Sequence, residues 1–201
     1  MDTTLQNTTL GLKLPTDPRW VNLAEIDLAE ILSDHAYCEQ KAATACISLI
    51  QAYPERLELV DALAPVVTEE WGHFRMVLQE LKKRALRLGR QRKDEYVNEL
   101  LKFQKKGVSR DEALLERLLT CALIEARSCE RFRLLSLYCA DEALRQWYHQ
   151  FMVAEAGHYR MFLDLAGGYF GKEKAWDRWL EYLRHEADIV QSLPARGDRM
   201  H

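Results

Sequence analysis

Glycine and proline are scarce, nine and five in 201 residues, well under the roughly 12 % they ordinarily supply together. Collagen-like, low-complexity and turn-rich all-β organisations depend on those residues and are poor fits. No run of about 18 apolar residues occurs, so a helical membrane span is not expected. The opening Met1-Asp2-Thr3-Thr4-Leu5-Gln6 has neither a basic n-region nor an apolar h-region, and an unexported, cytoplasmic chain without a membrane partner is expected. Five cysteines (Cys38, Cys46, Cys121, Cys129 and Cys139) make an odd number with no Cys-x-x-Cys pair. That pattern disfavours a disulfide framework or a zinc ribbon and fits reduced thiols. An excess of one charge is also missing: 28 Lys+Arg stand against 31 Asp+Glu, a net charge of −3, which taken as a total does not mark a nucleic-acid binder.

What the chain has is helical periodicity. Leu28, Leu32, His35, Glu39, Ala42, Cys46 and Leu49 recur at steps of three and four and share one helix face. Tyr53-Pro54 ends that helix, because the residue before proline avoids the α region and proline suits the first turn of the next. A second seam runs through Leu63, Val66, Glu70, His73, Val77 and Leu81. Ser109 with Glu112 has capping-box spacing and opens a third, through Leu115, Leu118, Ala122, Glu125, Cys129, Phe132 and Ser136. Asp141 reads as the cap of a fourth, with Leu144, Tyr148, Phe151, Glu155, His158, Phe162 and Leu165 on its face and a stop at Gly167-Gly168. A final amphipathic stretch carries Trp176, Trp179, Leu180, Leu183 and Ala187, and is expected to pack outside. The expectation is an all-α, single-domain four-helix bundle over 1–201, with bundle helices near 22–53, 55–88, 110–140 and 142–166, a basic insertion at 82–110 and a C-terminal helix near 173–191.

Each seam holds a glutamate where a leucine is expected, and two add a histidine three residues later. Such groups cost several kcal/mol to bury unless satisfied. Glu70-Trp71-Gly72-His73-Phe74-Arg75-Met76-Val77-Leu78 repeats as Glu155-Ala156-Gly157-His158-Tyr159-Arg160-Met161-Phe162-Leu163, with six of nine positions identical. Either Glu-x-x-His alone could be a surface i, i+3 pair, but the repeat points to a shared purpose. The spacing aims both side chains at one neighbour, and a glutamate from each of two further helices completes a carboxylate-rich dinuclear metal site. Glu39 serves from the first helix. From the third, the repeat offset of 85 favours Glu125, while the likeness of Cys38-Glu39 to Cys129-Glu130 leaves Glu130 as the alternative. Carboxylate and imidazole donors suit iron or manganese, and Phe74, Leu78, Phe151 and Phe162 offer an apolar wall by periodicity. His35 reads equally as a partner of Glu39 or a satisfied core histidine. His149, His185 and the tyrosines read as structural, and Cys46 and Cys129 as small hydrophobes.

At Asp34-His35-Ala36-Tyr37-Cys38-Glu39-Gln40-Lys41-Ala42-Ala43, Glu69-Glu70-Trp71-Gly72-His73-Phe74, Ile124-Glu125-Ala126-Arg127-Ser128-Cys129-Glu130-Arg131-Phe132 and Glu155-Ala156-Gly157-His158-Tyr159, the sequence resembles the MiaE-type tRNA hydroxylases of the ferritin-like superfamily. The resemblance implies an O2-dependent, non-haem di-iron monooxygenase that hydroxylates the isopentenyl group of 2-methylthio-isopentenyl-adenosine next to the anticodon of tRNA. It implies two iron ions as cofactor, with O2 as co-substrate and Glu39, Glu70, His73, Glu125, Glu155 and His158 as metal ligands. It also implies an external electron-donating reductase, since no flavin or nicotinamide fingerprint is visible. A ferritin- or rubrerythrin-like iron oxidase or peroxide reductase is the alternative.

The distribution of charge adds a separate signal. Between Lys82 and Arg110 eleven basic residues face three acidic ones, a local balance of +8 against −11 elsewhere. Lys82, Lys83, Arg84, Arg87, Arg90, Arg92 and Lys93 are candidate contacts to nucleic-acid phosphates; a solvated basic linker is the simpler reading of the segment by itself.

Overall fold

A computed structural model describes residues 9–200. A 3-10 turn at Thr9–Gly11 is followed by seven α-helices: α1 (Trp20–Ile26), α2 (Leu28–Ala52), α3 (Leu57–Lys83), α4 (Glu95–Phe103), α5 (Arg110–Tyr138), α6 (Glu142–Phe170) and α7 (Lys172–Ser192). No strand occurs among the described residues, and no helix among them is long and apolar enough to cross a membrane. The chain sorts into two compact units, one formed by the described chain up to Val21 with Asp94–Ala195, the other by Asn22–Lys93 with Arg196–Met200.

Short polar side chains set where the helices begin. Asp27 accepts the amide of Glu30 at 3.1 Å, and this cap separates α1 from α2 where the sequence suggests one helix from 22. Asp94 accepts the amide of Val97, Asp141 those of Ala143 and Leu144, and Ser109 with Glu112 forms a reciprocal capping box. Two helix ends differ from the sequence reading. α3 stops at Lys83 rather than near 88, because Ala85 takes a positive φ of 56° and lets the Leu86 amide return to the Leu81 carbonyl. Glycine ordinarily fills that position, so its absence hides the stop. α6 runs through Gly167-Gly168 to Phe170 and ends at Gly171, whose φ of 84° suits glycine. Two helical glycines cost about 1 kcal/mol each, and burial of Leu165 and Ala166 offsets it.

In the unit built on α2 and α3, the two helices form a hairpin across residues 53–56. After α3 the basic loop returns to the first half of α2. The Gly89 amide donates to Ser33 Oγ at 2.8 Å and the Tyr37 hydroxyl to the Gly89 carbonyl at 3.0 Å. The C-terminal tail lies on the same helix: the Met200 amide donates to Asp34 Oδ2 at 2.8 Å, and Gly197 approaches so near that a Cβ would stand 2.1 Å from the Leu23 backbone.

In the other unit, α5 and α6 form a second hairpin. The α6 face expected from Leu144 to Leu165 is buried at every position. α5 is buried on more than its leucine seam, and its second face carries Glu116, Arg127 and Glu130. Arg178 of α7 donates to both Glu116 oxygens, at 2.8 and 2.7 Å. Arg127 donates to Glu186 of α7 at 2.8 Å and to the Leu14 carbonyl at 2.8 Å. The α7 face therefore differs from the sequence reading. Its buried row is Ala175, Arg178, Trp179, Tyr182, Leu183, Glu186 and Ile189, while Trp176 is exposed, because Arg178 and Glu186, outside the expected apolar face, are paired inward.

Candidate metal centre

The first triad belongs to α2 and α3. Glu39, Glu70 and His73 are buried, and each offers one ligand atom within 4.8 Å of the others. Glu70 and His73 sit three residues apart on one face of α3, and hairpin packing brings Glu39 opposite them. His73 Nδ1 stands 3.2 Å from Glu39 Oε2 and 3.8 Å from Glu70 Oε2. On the other side of Glu39, His35 Nε2 lies 2.7 Å from Oε1. Thus both oxygens of a buried carboxylate meet imidazole nitrogens.

The second triad belongs to α5 and α6. Glu125, Glu155 and His158 are buried and again offer one ligand atom each within 4.8 Å. His158 Nδ1 is 3.3 Å from Glu155 Oε2, so the same nitrogen faces its own helix's glutamate in both Glu-x-x-His pairs.

Glu130 is placed differently. Its Oε1 accepts the Thr16 amide at 2.8 Å, its Oε2 accepts the Thr16 hydroxyl at 2.6 Å, and Arg127 forms an ion pair with it. The same contrast extends to the remaining buried glutamates. Glu80, Glu116 and Glu186 are held by Arg84, Arg178 and Arg127, whereas the triads combine carboxylates with imidazoles. Two carboxylates and one imidazole form an oxygen- and nitrogen-rich donor set that fits a divalent transition ion of the iron or manganese type, and each triad has the chemistry to hold a metal ion.

One helical turn before Glu155 and one after His158, α6 carries two phenylalanines. Phe151 and Phe162 are fully buried, and Phe151 packs with Phe132, Tyr148 and Trp147. The Cys129 thiol donates to the Met152 carbonyl at 3.3 Å, and burial, reinforced by Glu155 and Glu130, pushes it up to about 12. Beside the first triad Phe74 is buried and stacks on Trp71 at 4.9 Å, while Leu78 is half-buried.

The seven basic candidates divide into two groups. Arg84 pairs with Glu80 at 2.6 Å, and Arg92 with Glu30 at 2.6 Å and Asp198 at 2.7 Å; both hold the loop. Lys82, Lys83, Arg87, Arg90 and Lys93 are exposed, with Lys83 reaching Glu80 at 3.5 Å. Sequence reasoning did not find the Arg127, Glu130 and Glu186 cluster as a unit. The usable signal was Arg127 and Glu130 three residues apart on one helix, the spacing of an i, i+3 ion pair.

Helices bearing paired carboxylate and histidine triads define a class, and the fold is all-α and ferritin-like. A solved structure titled Protein 43 with aldehyde deformylating oxygenase activity from Synechococcus matches with a TM-score of 0.88 and 32 % identity, covering 94 % of each chain. Within that class the chain belongs to the MiaE family, whose profile, described as tRNA-(MS[2]IO[6]A)-hydroxylase (MiaE), matches residues 3–201. A relative from Pseudomonas putida, named tRNA 2-(methylsulfanyl)-N(6)-isopentenyladenosine(37) hydroxylase, is 35 % identical over 191 residues, covering 94 % of this chain and 91 % of the relative. A Salmonella typhimurium protein of the same name is 26 % identical over 239 residues, covering 94 % of this chain and 87 % of its own.

Proposed function

We propose that this protein is an O2-dependent, non-haem di-iron monooxygenase that hydroxylates the isopentenyl group of 2-methylthio-isopentenyl-adenosine next to the anticodon of tRNA. Membership of the MiaE family over residues 3–201 carries the reading. In it, Glu39, Glu70 and His73 together with Glu125, Glu155 and His158 hold two iron ions. The sequence repeat supports that pairing, since it supplies two triads of the same donor composition. Glu125 is the α5 ligand, and the arginine and threonine contacts of Glu130 support a structural role for that residue.

A bound iron pair supplies the capacity to activate O2 for insertion of one oxygen atom into an allylic C–H bond. The balance is one O2, two electrons and two protons per C–H bond converted to C–OH, with the second oxygen leaving as water. An external reductase provides the electrons, and the reaction belongs to the cytoplasm, where its tRNA substrate is found. The chain's own part is to hold the donors in place before metal arrives and to keep water away with buried side chains such as Phe151 and Phe162. Lys82, Lys83, Arg87, Arg90 and Lys93, exposed on the loop and the end of α3, contact tRNA phosphates. Arg84 and Arg92 shape the loop instead.

The test is nucleoside mass spectrometry of tRNA bearing 2-methylthio-isopentenyl-adenosine after incubation with iron-loaded protein, O2 and a chemical reductant. The expected product gains one oxygen atom on the isopentenyl group. Unchanged tRNA with full iron content overturns the reading, and iron oxidation or peroxide consumption without tRNA product favours the ferritin- or rubrerythrin-like alternative.

A further inference from the structure

Glu39 is preceded by a histidine one helical turn earlier, where Glu125 is preceded by a cysteine. His35 lies four residues earlier on the same face of α2, is fully buried, and places Nε2 2.7 Å from Glu39 Oε1. An ionised carboxylate only accepts, so this bond needs the proton of His35 on Nε2. Glu39 Oε2 is then the oxygen on the side of His73, 3.2 Å from Nδ1. On α5 the residue four before Glu125 is Cys121, a thiol that burial pushes up to about 11. It is a poor hydrogen-bond donor and shorter than an imidazole. The internal repeat therefore breaks at this position: one glutamate is steered by a histidine from its own helix, and its counterpart on α5 has no histidine there.

We propose that His35 is a positioning residue that orients Glu39 toward the metal. The inference rests on the dinuclear reading above. Outer partners that hydrogen-bond a ligating carboxylate restrict its rotation and raise metal affinity, and removing them typically lowers it by about 10–100-fold.

The test is titration of metal-free full-length protein with Co2+, read by visible absorption and by bound metal per chain, on wild type, His35→Gln, His35→Asn and Glu39→Ala. Glutamine carries an N–H close to where imidazole Nε2 sits, whereas asparagine falls short of Glu39. His35→Asn is expected to weaken one of two Co2+ equivalents by about 10–100-fold and alter its spectrum, leaving the second unchanged. His35→Gln is expected to bind both equivalents within a few-fold of wild type. Equal, undiminished binding by His35→Asn and wild type overturns the positioning role, as does equal loss in His35→Asn and His35→Gln with folded circular dichroism. Retention of both equivalents by Glu39→Ala instead overturns the dinuclear reading on which the inference stands.

Discussion

Replacing Arg127 by methionine probes how the second face of α5 is held. Arg127 is fully buried, and its guanidinium donates to Glu186 at 2.8 Å, to the Leu14 carbonyl at 2.8 Å and to the Thr16 hydroxyl at 3.0 Å, besides its ion pair with Glu130. Burial opposes its charge, but Glu186 and Glu130 outweigh that and hold its pKa above the ordinary value. Methionine fills most of the volume but leaves two buried carboxylates without their shared cation. Breaking a buried pair in this way costs about 3–5 kcal/mol, which at about 2–4 °C per kcal/mol for a chain of this size lowers the melting temperature by roughly 6–20 °C.

The pH dependence of that loss has a definite sign. Burial already holds the Glu186 carboxyl above its ordinary range, against the opposing pull of Arg127. Without the arginine its folded pKa rises further above the unfolded value of about 4.3. Its ionisation then destabilises the fold at neutral pH, and the penalty shrinks as pH falls through the raised folded value. Adding Glu186→Gln to Arg127→Met is expected to recover part of the stability, because one uncompensated charge is removed. Thermal melts followed by circular dichroism at neutral pH and near about pH 5 read both effects. A melting temperature within about 2 °C of wild type, or a deficit that grows on acidification, would refute the reasoning.

Two other outcomes follow from the placements of the glutamates and the loop. Glu125→Ala is expected to lower bound iron per chain with a melting temperature of the metal-free protein near wild type, while Glu130→Ala keeps its iron and loses about 1–3 kcal/mol of stability, because the Thr16 amide loses its acceptor while Arg127 keeps Glu186; iron content and melting curves of the two side by side decide it. The triple variant Arg87→Ala, Arg90→Ala, Lys93→Ala is expected to weaken tRNA binding at low salt and flatten the slope of log affinity against log salt by about 2–3, near 0.9 for each phosphate no longer neutralised; an unchanged slope in a filter-binding series rejects that loop as the phosphate-binding element.

Local patterns were legible wherever one side chain decides the outcome. The caps at Ser109 and Asp141 and the seams of α3 and α6, with Glu70, His73, Glu155 and His158 on their inner faces, are read directly from spacing, because a helix forces residues three and four apart onto one face. The end of α3 was hidden by an alanine in a glycine position, and that of α6 by glycines that continue the helix. Glu125 and Glu130 were harder to separate, since both are short acidic side chains on one helix. Their difference lies in Thr16, more than a hundred residues away, and in Arg127.

The sequence by itself determined the helices, the duplicated Glu-x-x-His and the concentration of positive charge after α3, all consequences of local periodicity or composition. Only the tertiary structure decided which charges face inward. Arg127, Arg178, Glu116 and Glu186 belong to no apolar seam, because hydropathy assigns each residue its value alone, yet they are buried in pairs whose partners lie on different helices. It also decided which arginines of the basic loop are taken up by Glu30, Glu80 and Asp198 and which remain exposed. A charge is cheap to bury only beside its partner, and partnership across the chain is a property of the fold.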